Sequence, residues 1–347
     1  MRFPKVYVSS RFLDEMDKYA DRYKDSSIFD LDEELNQQRE SLKRIRTLFL
    51  SSVFQTDIKS SEIEEFKESE FLYFSSFKNI LLRRLVMNSG IGDKPNLIPD
   101  LKSQDFDQIN CSFFLSQSNK HCTDYSEKHG KIVLGKSFLE SPFFLNHSFS
   151  VESTSKEIPQ AERIAHPCSS LIIIDPYLLQ NKGKPFQKVD NLIRFFRIFL
   201  PKNLKKPFEI DIVTSNPDNK NIKRLDEQLL EEIALPISLH IYFPPIDIFK
   251  ESDRYFITDY SITVIGHPLD RDSYISSNFL PSNHSNQGIQ NGMELWFKKI
   301  KSVKNMIETL KLKSESESYC YKFKYPKPTE IEDSSGSEEV EHRIFNI

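Results

Sequence analysis

The stretch Ser169-Ser170-Leu171-Ile172-Ile173-Ile174-Asp175-Pro176-Tyr177-Leu178-Leu179 is the longest apolar run of the chain. Four consecutive aliphatic residues closed by Asp-Pro read as a strand buried on both faces of a sheet. The run is too short to cross a membrane, which takes about 20 apolar residues. Working outward, KVDNLIRFFRIFLP (188–201) has the spacing of an amphipathic helix, FEIDIVTS (208–215) reads as a strand, and KRLDEQLLEEIAL (223–235) as a helix. ISLHIYFP (237–244) is a further strand, DRYFITDYSITVIG (253–266) a hairpin-like pair, and GMELWFKKIKSVKNMIETLK (292–311) a closing helix. The order β-α-β-α-β-β-β-α predicts an α/β domain with a mixed sheet.

The first 150 residues also alternate strands and helices. KVYVSS (5–10) predicts a strand, followed by a helix opened by serine caps. Residues 31–57 carry Leu31, Leu35, Leu42, Ile45, Leu48 and Phe49 at helical spacing, and a helical pair is expected around 61–88. CSFFLS (111–116), NKHCTDYSEKHG (119–130) and KIVLG (131–135) then predict strand, helix and strand. The expected organisation is an α/β domain over 1–150, a polar, Ser-rich linker over 151–168, a second domain over 169–313 and an acidic tail over 314–347. That tail holds the strand-like YCYKFKY (319–325), and its closing EEVEHRIFNI (338–347) is expected to dock as an edge strand.

Composition narrows the function classes. Nine glycines stand against 28 phenylalanines in 347 residues, where average glycine usage is about 7%. So little glycine argues against loops that bring bare backbone to phosphates. The net charge of −4 gives no whole-molecule pull toward nucleic acid or anionic lipid, so such binding must come from a local patch. Cys111, Cys122, Cys168 and Cys320 form no CxxC pair, which suits a reducing compartment. The N-terminus is charged by residue 14 and does not read as a signal peptide. The expectation is a cytoplasmic protein without a transmembrane segment.

Three motif matches carry little. GKIVLGKS (130–137) fits the P-loop expression, but a P-loop needs a strand before its first glycine and a helix after its lysine. Here a helix precedes Gly130 and KIVL is itself the strand, so no nucleotide cofactor is expected. Cys111, His121, Cys122 and His129 lack the paired spacings of zinc sites, and no metal is expected. Asp105 and Asp107 are weak catalytic candidates for a carboxylate-held Mg²⁺ of nuclease type.

Ser252-Asp253-Arg254-Tyr255-Phe256-Ile257-Thr258-Asp259 is the informative segment. It resembles the phospholipase D superfamily signature H-x-K-x4-D, with Ser252 at the histidine position, Arg254 at the lysine position and Asp259 at the aspartate position. The strand ending in Asp175-Pro176-Tyr177, the following helix, FEIDIVTS and the hairpin turning at Gly266 recur in the same order over residues 168–310. The resemblance is to bacterial phospholipase D-like domains and to the C-terminal domains of MIT proteins. It implies a shared site of two such motifs, commonly from two copies of the chain, in which one histidine attacks phosphorus and the lysines hold the non-bridging oxygens.

With serine in place of the nucleophile, the resemblance implies a catalytically degenerate module that recognises phosphate. Ser252 stays a weak catalytic candidate because no histidine sits at the right offset to activate it, His240 and His267 being the nearest. The expected phosphate-binding set is Arg254, Asp259 as its orienting acid, and Lys298 and Lys299 beside Trp296 and Phe297. Expected partners are nucleic acid or another protein of the same system, with a homodimer as one form. Degenerate members of this kind serve as accessory parts of multi-gene systems, anti-phage defence among them. Two alternatives stand beside this reading: a nuclease effector, and a protein that binds an anionic membrane surface.

Overall fold

The computed structural model describes residues 5–21, 42, 45–46, 49, 53–69, 76–87, 111, 113–116, 122–135, 148–152, 167–180, 186–246, 249, 254–259, 261–265, 274–279, 298–310 and 320–325. The chain divides into two compact units. One comprises Met1–Asn146 with Pro281–Asn286 and Ile347, the other His147–Leu280 with Gln287–Asn346.

The first unit is built on strands β1 (Lys5–Val8), β2 (Val53–Thr56), β3 (Phe113–Leu115) and β4 (Ile132–Leu134), all parallel, in the order β2-β1-β3-β4. Val6, Val8, Phe113 and Leu115 are fully buried, as strands covered on both faces require. Between the strands run helices α1 (Ser10–Asp21), α2 (Ser60–Glu68), α3 (Phe77–Met87) and α4 (Cys122–His129). Asp17 on α1 accepts a hydrogen bond from the Phe77 amide at 2.5 Å and so caps the start of α3. Burial, only partly offset by these amides, raises the Asp17 pKa.

One expectation changes here, and one is borne out. Residues 31–57 do not form one helix, because Val53–Thr56 is the edge strand β2. Its β-branched and aromatic side chains outweigh the helical period continued from upstream, with Phe54 and Thr56 buried and Gln55 half-buried between them. At 130–137, α4 precedes Gly130, which takes φ 59°, and β4 follows, the reverse of P-loop order.

The second unit holds an eight-stranded sheet. Its strands are β5 (Ser148–Glu152), β6 (Ser170–Ile174), β7 (Phe208–Val213), β8 (Ile237–Tyr242), β9 (Arg254–Thr258), β10 (Ser261–Ile265), β11 (Tyr274–Phe279) and β12 (Cys320–Tyr325). Their order is β12-β8-β7-β6-β9-β10-β11-β5. Strands β6, β7 and β8 are parallel, and every other neighbouring pair is antiparallel. The α/β class and the mixed sheet are thus present. The sheet also recruits β5, which overlaps the stretch expected to be linker, and β12, from the stretch expected to be tail. The 338–347 segment lies outside the described residues.

Pleat alternation assigns the two faces. Helices α5 (Gln187–Phe199) and α6 (Asn219–Glu232) connect the parallel strands. Phe195 of α5 packs 4.7 Å from the Phe256 ring, and Tyr325 of β12 donates its hydroxyl to Asp226 of α6 at 2.5 Å. Leu171, Ile173, Ile210, Ile212 and Phe256 therefore face α5 and α6. On the other face stand Ile172, Asp211, His240 and Tyr255, with residues 298–310, which are helical, reaching Tyr255 through Lys299. No described helix is long and apolar enough to cross a membrane.

Candidate phosphate-binding edge

Chain order places a reversal of the winding beside β6. From β6 the chain moves one way to β7 and β8, then returns to lay β9 on the other side. In open α/β sheets, ligands bind beyond the carboxyl ends of the strands where the winding reverses. Asp175 follows β6 at that edge, and because β9 runs antiparallel to β6, with Tyr255 opposite Ile174, its first residue, Arg254, arrives at the same edge.

Arg254 and Asp175 form a buried ion pair there, Nε to Oδ1 3.2 Å, with side chains 8% and 3% exposed. The guanidinium also lies 5.7 Å from the centre of the Tyr177 ring. Lys188, buried on the first turn of α5, donates Nζ to the Tyr177 carbonyl at 2.9 Å and adds a second positive field on Asp175. Burial raises the Asp175 pKa despite the opposing pull of Arg254, the Tyr177 amide and Lys188. The pair with Lys188 therefore sums to two cations around one carboxylate.

The loops of this edge are held in unusual backbone. Phe186, before α5, takes φ 63°, and Asn216, after β7, takes φ 44°. Asparagine visits the left-handed region readily. Phenylalanine does not, and holding it there costs about 1–3 kcal/mol. Just before Asn216 come Thr214 and Ser215, fully buried, whose hydroxyl oxygens have no hydrogen-bond partner among the described residues. Backbone strain and unpaired buried polar groups cluster at ligand-binding and active sites in proteins generally.

The 298–310 helix brings a third cation to the same end of β9. Lys299 Nζ lies 4.3 Å from the centre of the Tyr255 ring, one residue from Arg254 and on the opposite face. Lys298, beside it, is exposed.

Asp259 is elsewhere, which corrects the expectation that it orients Arg254. Five residues of extended chain separate the two by about 16 Å. Asp259 meets the start of β6 instead, accepting from the Ser169 amide at 3.2 Å and from Ser170 Oγ at 2.9 Å. Burial first, then proximity to Asp259, pushes the neighbouring Cys168 thiol well up. The partner of Arg254 is Asp175, which in the sequence is legible only as the end of an apolar run.

His240 is also not delivered to Arg254. It stands on β8, three strands from β9, and its Nδ1 lies 3.0 Å from Oδ1 of Asp211 on β7. Three inter-strand spacings amount to about 14 Å. Ser252, Asp105, Asp107, His121 and His267 lie outside the described residues. In the first unit, Cys111 donates to Gln55 Oε1 at 3.5 Å, and burial pushes the Cys122 thiol up to about 11. No protein-family model matches this sequence, and no curated protein matches it.

Proposed function

We propose that the second unit is a phosphate-recognising module of phospholipase D-like type whose nucleophilic histidine is replaced, and that it acts as a binding or assembly component on nucleic acid. The observation that carries this reading is the pairing of Arg254 and Lys188 around the Asp175 carboxylate at the carboxyl edge of the parallel strands, with Lys299 over Tyr255 at the same end of β9 on the other face. A backbone phosphate supplies the counter-charge such a cluster favours, and arginine's planar fork suits it. The resemblance adds a context, an accessory part of a bacterial multi-gene system such as anti-phage defence.

The test is fluorescence anisotropy of a labelled single-stranded oligonucleotide at several salt concentrations. Three phosphate contacts predict a slope of log K against log salt of about −2, and Lys299→Ala reduces it by about 0.7. Arg254→Lys keeps the charge and loses the fork, so binding weakens without vanishing. If wild type and both variants give the same isotherm, the reading fails.

A further inference from the structure

A further polar feature inside this sheet is the pair Asp211 and His240, in register on adjacent parallel strands and on the face away from α5 and α6. Asp211 is fully buried, with Ile172 as its register neighbour on the other side, while the His240 side chain is 22% exposed. The 3.0 Å contact joins Nδ1 to Asp211 Oδ1, and the tautomer that donates from Nδ1 to the carboxyl group leaves Nε2 as the ring's second position. Among the described residues, buried Asp211 Oδ2 has no hydrogen-bond partner, and the His240 ring makes no hydrogen bond besides the one to Asp211. A buried carboxyl group with one oxygen left without a hydrogen bond is costly to the fold. Along β12, Lys322 stands directly opposite His240 and Lys324 opposite Ser238, both lysines exposed. The open side of the dyad therefore faces cations, with Glu209 and Tyr242 the other ionisable side chains of β7 and β8 on this face.

We propose that Asp211 and His240 form an acid–base dyad for hydrolysis of a phosphate ester, a site separate from the Arg254 edge. His240 Nε2 takes a proton from water as the water oxygen bonds to phosphorus. The bond from phosphorus to the leaving oxygen breaks, and the imidazolium returns the proton to that oxygen. Lys322 offsets charge on the non-bridging oxygens, and Asp211 is a positioning residue that fixes the tautomer.

The full chain is assayed with p-nitrophenyl phosphate and bis(p-nitrophenyl) phosphate, which separates monoester from diester preference. His240→Gln is expected to lower kcat about 100-fold or more with KM little changed. Lys322→Ala raises KM. Asp211→Asn, close to isosteric, lowers kcat and moves the ring proton to Nε2, read from the imidazole ¹⁵N shifts. Thermal unfolding checks that each variant is folded. Wild type inert toward both esters, turnover undiminished in folded His240→Gln, or a wild-type ring protonated at Nε2 and bare at Nδ1 would each overturn the proposal.

Discussion

At one end of β9, Arg254 meets the Asp175 carboxylate and the Tyr177 ring; at the other, Asp259 accepts from the Ser169 amide and Ser170 hydroxyl. Both ends are buried, and both join β9 to β6. The difference is in how charge is balanced. The Asp259 end is a local closure in which two neutral donors answer one carboxylate. At the Arg254 end two cations, Arg254 and Lys188, act on one carboxylate, and left-handed Phe186 and Asn216 lie in the loops of the same sheet edge. In a Ser-x-Arg-x4-Asp spacing laid on a strand, the basic and acidic residues thus serve opposite edges of the sheet.

Arg254→Ala is the harshest way to break this contrast. It leaves Asp175 buried without its nearest cation, and a loss of about 3 kcal/mol in urea denaturation is expected. Asp259→Ala strands a buried amide and a buried hydroxyl, for about 2 kcal/mol. Asp259→Asn, assayed by anisotropy, should leave oligonucleotide binding unchanged, and weaker binding would erase the distinction between the ends. Tyr325→Phe removes the hydrogen bond to Asp226 that fastens β12 to α6, with an expected loss of about 1 kcal/mol.

The smallest effect is in pH dependence. The folded pKa of Asp175 lies above the ordinary 3.8, so its contribution to stability is full below that value. As pH rises through the folded value, that contribution is lost, because the unfolded chain has already released the proton. Asp175→Asn removes this component, and stability from pH 3 to 7 should fall less steeply than in wild type.

Much of this architecture was legible because local and tertiary signals agree. The run Leu171–Ile174 reads as a doubly buried strand and is one, and α5 and α6 carry their apolar faces at helical spacing. β5 was not legible, since Ser-Phe-Ser-Val-Glu is short and polar and its pairing with β11 lies more than 120 residues downstream. β2 was hidden by the helical period running into it. Within the site, Arg254 and Lys299 could be picked out by residue type and position. Arg254's partner Asp175, the unused hydroxyls of Thr214 and Ser215, and the Asp211–His240 pair depend on register between strands far apart in sequence, and no local pattern encodes that.

The most direct test of the phosphate-binding claim is to titrate one labelled oligonucleotide with wild type and with Asp175→Asn at fixed, low salt. Removing the carboxylate between Arg254 and Lys188 should tighten binding by roughly tenfold, about 1.4 kcal/mol. Equal affinity for the two folded proteins, or no binding by either, would contradict it.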